Sequence, residues 1–174
     1  MITYVSGNIL TSAAQVISNP INCVGAMGAG LALEFKNNFP DMYADYSIRC
    51  SDKKVIIGQP YLWESNDKQI LNFPTKRHWK DKSLLSDIDA GLANLAANYG
   101  EMGITSIALP ALGCGLGGLN WPDVKVLIER HLGHLPALEV YVYQPAISTS
   151  SVKSKEESGN KSVPIKDKAA AASL

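Results

Sequence analysis

Twice in this chain an apolar, strand-like run is followed by a glycine-rich loop that opens a helix. The first loop is Asn22-Cys23-Val24-Gly25-Ala26-Met27-Gly28-Ala29-Gly30, and the second is Leu112-Gly113-Cys114-Gly115-Leu116-Gly117-Gly118-Leu119. Glycine tolerates positive φ and lets backbone N–H groups approach a ligand closely. A helix start adds unpaired N–H donors and a partial positive charge. Two such loops at strand ends form a site for a diphosphate with little need of cationic side chains. Ligands of open α/β sheets bind beside the carboxyl ends of the strands. The alternative is that both loops are tight connections. Their length, and the helix that follows each, favour a phosphate or nucleotide site. Neither loop carries the lysine of a P-loop, which argues against ATP hydrolysis.

The rest of the body alternates strand and helix patterns. Ile2 to Ser6 is a strand closed by Gly7, and Gln15 to Asn19 is a second strand ended by Pro20. Leu31, Phe35 and Phe39 recur every four residues along a helix from Gly30, and Met42 to Cys50 is a further helix. Val55 to Trp63 and Gln69 to Phe73 are β-like, with Asn66-Asp67 as a turn between them. Ser86 starts the clearest helix, with Asp89 three residues on in a capping-box-like arrangement. Its stripe is Ile88, Leu92, Leu95, Ala96 and Tyr99. Thr105 to Leu109 is a buried central strand, Asn120-Trp121-Pro122-Asp123 starts another helix, and Glu139 to Tyr143 is the last strand. The pattern predicts a three-layer α/β/α domain with a mixed central sheet.

Composition changes after Pro145. Residues 1–146 are expected to form one domain. The expectation for 147–174, rich in Ser, Lys and Ala, is a disordered tail or linker, because it carries too little apolar surface to offset chain entropy. Sixteen basic and sixteen acidic side chains cancel, which excludes a broadly cationic nucleic-acid coat but leaves room for a local patch. No apolar run approaches the roughly 20 residues of a membrane span, and the N-terminus lacks a secretory pattern. Three scattered cysteines fit reduced thiols in a cytoplasmic protein. With the three histidines they show no metal spacing, so neither a metal nor a cofactor is implied.

Ser6-Gly7-Asn8-Ile9, NCVGAMGAGLALEFK from Asn22, Asn72-Phe73-Pro74-Thr75-Lys76 and LPALGCGLGGLNW from Leu109 together resemble the macrodomain family of ADP-ribose-binding α/β/α proteins. FPDMY (Phe39 to Tyr43) and NFPTKRHWK (Asn72 to Lys80) are similar to the DarG antitoxin group, which removes ADP-ribose from DNA thymidine modified by a DarT toxin. More distantly they are similar to the glycohydrolase that releases terminal ADP-ribose from glutamate. The resemblance implies that Asn8 and Ile9 lie at the adenine. Asn8 stands where the family usually has Asp, and a turn or capping Asn is the alternative. It implies that Asn22 lies near the distal ribose, that Gly28, Ala29, Gly30 and Leu31 line the substrate end, and that Gly113, Cys114, Gly115, Leu116, Gly117 and Gly118 wrap the diphosphate. Tyr143 becomes a candidate to stack on adenine. The catalytic Asp of the glutamate-directed enzyme is matched here by Gly117.

Lys76 is the implied catalytic residue. As a neutral amine it can attack the opened-ring aldehyde; as a cation it can polarise the leaving carbonyl oxygen and orient the ribose. The segment that follows interleaves cations with an aromatic ring, and Arg77, His78, Trp79 and Lys80 are candidates to hold single-stranded DNA. Thymidine must be unpaired to present N3. The expected activity is metal-independent removal of ADP-ribose from thymidine in single-stranded DNA, by a monomer with ADP-ribosylated DNA and a DarT-like toxin as partners. The alternatives are a hydrolase of glutamyl-ADP-ribose or ADP-ribose 1''-phosphate, and a reader that binds ADP-ribose without chemistry.

Overall fold

The computed structural model describes residues 1–146. The tail expected from residue 147 onward lies outside them. The elements are β1 (Ile2–Val5), a 3-10 turn (Ile9–Thr11), β2 (Val16–Asn22), α1 (Gly30–Asn38), α2 (Pro40–Ser51), β3 (Tyr61–Glu64), β4 (Gln69–Lys76), α3 (Leu85–Asn98), β5 (Ser106–Pro110), α4 (Trp121–Leu132) and β6 (Glu139–Tyr143). The six strands form one sheet in the order β1-β6-β5-β2-β4-β3. Five run parallel, and β3 joins β4 antiparallel at the edge.

Strand alternation divides the core in two. On one face Val16, Leu71, Phe73, Ile107, Leu109, Val140 and Val142 pack against Ile88, Leu92 and Leu95 of α3 and Val124, Ile128 and Leu132 of α4. On the other, Ile17, Ile21, Ile70 and Ala108 pack against Phe35 of α1 and Met42 and Tyr46 of α2. The expected three layers and mixed sheet are therefore present. No helix of the described residues is long and apolar enough to cross a membrane.

Several boundaries move. β2 continues through Pro20 to Asn22, because its ladder with β5 is confined to Val16 and Ile17 and the later residues pair with β4. Of the expected 55–63 strand only Tyr61 to Trp63 is extended, as part of β3, which runs on to Glu64; Val55 to Pro60 is turn and loop. Helix α3 begins at Leu85 after an extended Leu84, and no side chain caps it. Ser86 lies inside the first turn, so the capping box does not form. Asp89 instead meets His131 Nε2 at 2.6 Å, tying α3 to α4.

Gly91 of α3 sits against the Phe73 ring. A Cβ there would lie 2.7 Å from Phe73 Cε1, inside a close-packed layer. Gly91→Ala should therefore lower stability by about 1–3 kcal/mol despite alanine's higher helix propensity. Phe73→Leu should be destabilising alone yet recover part of the loss in the double variant. Urea unfolding of the four proteins checks this, and strict additivity would contradict it.

Candidate functional site

The parallel strands aim their carboxyl ends at one side of the sheet. A cleft of about 1220 Å³ opens there, lined by residues at or just past the ends of β1, β2, β4, β5 and β6. That exceeds the roughly 300–1,000 Å³ usual for a small-molecule pocket, as an extended ligand requires. Of the residues expected at the site, Asn8, Ile9, Asn22, Gly28, Ala29, Gly30, Leu31, Lys76, Trp79, Gly113, Cys114, Gly115, Leu116, Gly117 and Tyr143 all line it. Gly118, Arg77, His78 and Lys80 do not.

An irregularity in the β2–β4 pairing places the lysine. Ile21 is opposite Pro74, but the next residue, Asn22, is opposite Lys76, so Thr75 is an extra residue in β4. Proline has no N–H to give a ladder, and a bulge at this point re-aims the side chains beyond it. Thr75 is buried, with its hydroxyl donating to the Ile21 carbonyl at 3.4 Å, and Lys76 stands beside Asn22 in the cleft wall. Lys76 Nζ donates to the carbonyls of Leu116 (3.2 Å) and Trp79 (3.4 Å), both partners suited to an ammonium.

Asn22 organises the first loop. Its Oδ1 accepts from the Val24 and Ala26 N–H groups at 3.0 and 3.3 Å, and its Nδ2 donates to the Ala26 carbonyl at 2.7 Å. From α2, the Tyr46 hydroxyl reaches both oxygens of Asn22 at 2.8 Å, and the Tyr43 hydroxyl donates to the Gly25 carbonyl at 3.3 Å. Tyr43 belongs to the FPDMY stretch, yet its hydroxyl's role, like that of Tyr46, was not evident from sequence. The whole of α1 lies between each tyrosine and its target.

The second loop is braced by Ser83, which sequence reasoning missed. The Ser83 N–H donates to the Gly117 carbonyl at 3.0 Å. Gly113 has φ of 72°, and a Cβ there would press on Leu119 and Ser83. A Cβ on Gly117 would collide with Ser83 Oγ and the Gly113 carbonyl oxygen. No larger residue fits position 117 in this conformation, an Asp included. Gly118 turns away from the cleft toward Lys82. The exposed Leu116 reaches over to the start of α1, where a Cβ on Gly30 would lie 3.7 Å from its Cδ1. Burial pushes the Cys114 thiol up to about 11, so it is not a thiolate nucleophile near neutral pH.

Asn8 is the N-cap of the 3-10 turn, with its Oδ1 accepting from the Leu10 N–H at 3.0 Å, so its side chain serves the turn as well as facing the cleft. Arg77 is directed elsewhere. Its guanidinium takes both oxygens of the nearly buried Asp87, at 2.8 and 3.2 Å, at the start of α3. Beyond it, His78 stacks on Trp79 with ring centroids 5.5 Å apart, and Lys80 Nζ lies 5.0 Å from the Trp79 ring. Trp79 remains 54% exposed at the cleft mouth. The cleft's lining holds one further charged group that was not anticipated, Glu34 of α1. Among the described residues no group of histidine, cysteine and acidic side chains could hold a metal.

The brace makes a contrast between neighbouring glycines. Gly115 has open space where a Cβ would stand. Gly115→Ala should leave unfolding unchanged, whereas Gly117→Ala should cost about 1–3 kcal/mol by overpacking. Equal denaturation midpoints for the two would contradict the Ser83 brace.

The comparisons with known proteins agree with this geometry. The family model described as Macro domain matches residues 18–128. The DNA ADP-ribosyl glycohydrolase of Mycobacterium tuberculosis is 39% identical over 160 residues, covering 90% of this chain and 46% of that protein. The chain thus spans about half the length of the curated relatives it matches. The solved macrodomain of Mycobacterium tuberculosis DarG superposes with a TM-score of 0.81 at 41% identity, over 84% of this chain and 99% of that one. A structure of Thermosipho africanus DarTG in complex with ADP-ribose gives a TM-score of 0.79 at 40% identity, over 83% of this chain and 42% of that one. From a matched family model, a shared cleft-forming sheet and a DarG macrodomain covered almost end to end, the chain belongs to the macro domain family.

Proposed function

We propose that this macrodomain hydrolyses the bond between ADP-ribose and thymidine in single-stranded DNA, without a metal, as the antitoxin side of a pair whose toxin is DarT-like. The observation that carries the reading is the place of Lys76. It stands in the cleft wall, bonded on one side to the glycine-rich loop at Leu116 and on the other to the segment that bears exposed Trp79. A ligand whose diphosphate lies on the Gly113–Gly117 backbone would bring its distal ribose to Lys76, and the base attached to that ribose to Trp79.

In the proposed reaction the bond between the anomeric carbon and thymine N3 breaks with oxocarbenium character. Lys76, as the ammonium, donates to a thymine carbonyl oxygen and so takes up the charge of the departing base. Water adds its oxygen to the anomeric carbon, and its proton ends on the thymine. The two carbonyls that hold Nζ at 3.2 and 3.4 Å are loose partners, which a substrate oxygen can replace. With no carboxylate tolerated at position 117, this electrostatic role is favoured over one that needs a partner base there.

Lys76→Ala should lower release of ADP-ribose from a modified thymidine oligonucleotide by about 10²-fold or more. Free ADP-ribose binding should stay within a few-fold, because an interaction realised in the transition state affects rate more than ground-state affinity. Wild-type turnover in Lys76→Ala would overturn the assignment. Preferential turnover of a glutamyl-modified protein or of ADP-ribose 1''-phosphate would overturn the DNA reading.

Lys80 and Trp79 separate charge from stacking. Lys80→Ala should weaken oligonucleotide binding and reduce the slope of log affinity against log salt by about 1. Trp79→Ala should weaken it by about 1–3 kcal/mol at every salt concentration. Arg77 is unsuited to this test, since its loss strands the nearly buried Asp87. Fluorescence anisotropy across a salt series reads both effects, and identical salt slopes would count against the division.

A further inference from the structure

We infer that Tyr46 is a positioning residue of the cleft: its buried hydroxyl holds the Asn22 side chain and the end of β2 in place, within a hydrogen-bond network that leaves this position only a donor for the ligand. The inference rests on reading the cleft as an ADP-ribose site. It concerns how that site chooses the polarity of one contact, not which macromolecule carries the ADP-ribose.

The hydrogen-bond inventory carries it. An asparagine amide has two lone pairs on its oxygen and two hydrogens on its nitrogen. The Val24 and Ala26 N–H groups take both lone pairs of Asn22 Oδ1, and the one Tyr46 hydroxyl hydrogen is shared between Oδ1 and the Asn22 main-chain carbonyl, so nothing of Oδ1 is left for a ligand. Asn22 Nδ2 spends one hydrogen on the Ala26 carbonyl at 2.7 Å. One N–H remains, on a residue that lines the cleft and is otherwise 8% exposed. The ligand group meeting it must therefore accept, as a ribose hydroxyl oxygen does.

Tyr46 is suited to hold that state. It is fully buried on α2, so its ring cannot swing away. Burial raises its hydroxyl well above the ordinary phenol value, so it stays protonated and donating. It contacts the Asn22 side chain and main-chain carbonyl together, which joins the amide's orientation to the end of β2. A flipped amide would point Nδ2 at two N–H donors and the Oδ1 at the Ala26 carbonyl, leaving buried groups opposed. Without the hydroxyl, the Asn22 side chain loses its tie to α2 and is held by the first loop alone.

Calorimetric titration of ADP-ribose into the full chain tests the link in four variants: Tyr46→Phe, Asn22→Ala, the double variant, and Tyr61→Phe. Tyr61 is a second buried-hydroxyl tyrosine, one that bonds to no residue of the first loop. Tyr46→Phe should weaken binding about 5- to 10-fold, the scale of one hydrogen bond. In the Asn22→Ala background the same change should alter affinity less than about 2-fold, because the side chain that Tyr46 holds is gone and only its contact with the main-chain carbonyl remains. Tyr61→Phe should bind as wild type. An equal loss in both backgrounds, or no loss in either, would overturn the inference. Amide exchange of the unliganded protein gives a reading independent of ligand. Val24 and Ala26 should exchange faster in Tyr46→Phe and not in Tyr61→Phe. Failure of wild type to bind ADP-ribose would sink the proposed function, and exchange at Val24 and Ala26 would then decide this link alone, unchanged rates overturning it.

Discussion

The extra residue in β4 is the constraint on which the site depends. In a regular parallel pair Asn22 would stand opposite Thr75, and the side chain after it would point to the other face of the sheet. The irregularity at Pro74-Thr75 moves Lys76 opposite Asn22 instead. The amide that shapes one loop and the amine that braces the other thereby become neighbours across one strand pair. Bulges are uncommon in parallel sheets and concentrate next to active sites. Here a proline supplies the reason for the break, since it has no N–H to continue the ladder.

From that pair the two glycine-rich loops are held by opposite layers. The first is gripped from below by hydroxyls of α2. The second is gripped by Ser83, in the connection from β4 to α3. Leu116 and Gly30 then meet over the cleft, so the loops also limit one another. The sandwich is thus more than a support. Each helical layer fixes one wall, and the sheet register fixes the distance between them.

Much of this was legible in the sequence because it is local. Apolar runs such as Thr105 to Leu109, the helical stripe from Ile88 to Tyr99, and the glycines before α1 and α4 each carry their signal within a few residues. The two glycine-rich loops were legible for the same reason, since they follow from those strand and helix signals, whereas Asn8, Asn22, Lys76 and Tyr143 were implied by the resemblance to the macrodomain family. Contacts between elements were not. Ser83 has no pattern of its own, and its function appears only when Gly113 and Gly117 are laid over it. Tyr46 sits among ordinary helical residues 24 positions from Asn22. Arg77 looked like part of a nucleic-acid patch because its neighbours are basic, but Asp87, ten residues on, claims it. Ser86 and Asp89 matched a capping box, yet the helix starts one residue earlier and Asp89 serves His131.

The division between backbone donors and a single cation suits the proposed chemistry. Among the described residues Lys76 is the one lysine or arginine in the cleft lining, and the second loop offers main-chain groups instead of cationic side chains. A departing base leaves positive charge on the ribose. A fixed cation about 6 Å from that charge would oppose it by about 3 kcal/mol at an effective dielectric of about 20. Arginines gathered around a diphosphate would therefore hold the ligand at the expense of the step. Neutral N–H dipoles hold it equally by geometry and leave the diphosphate's own negative charge unmasked, close enough to favour the oxocarbenium. The one cation is then needed only on the far side, at the leaving base, where negative charge grows. In the proposed reaction the polarity of the cleft then lies along the breaking bond, with the anion behind the ribose and the ammonium beyond it.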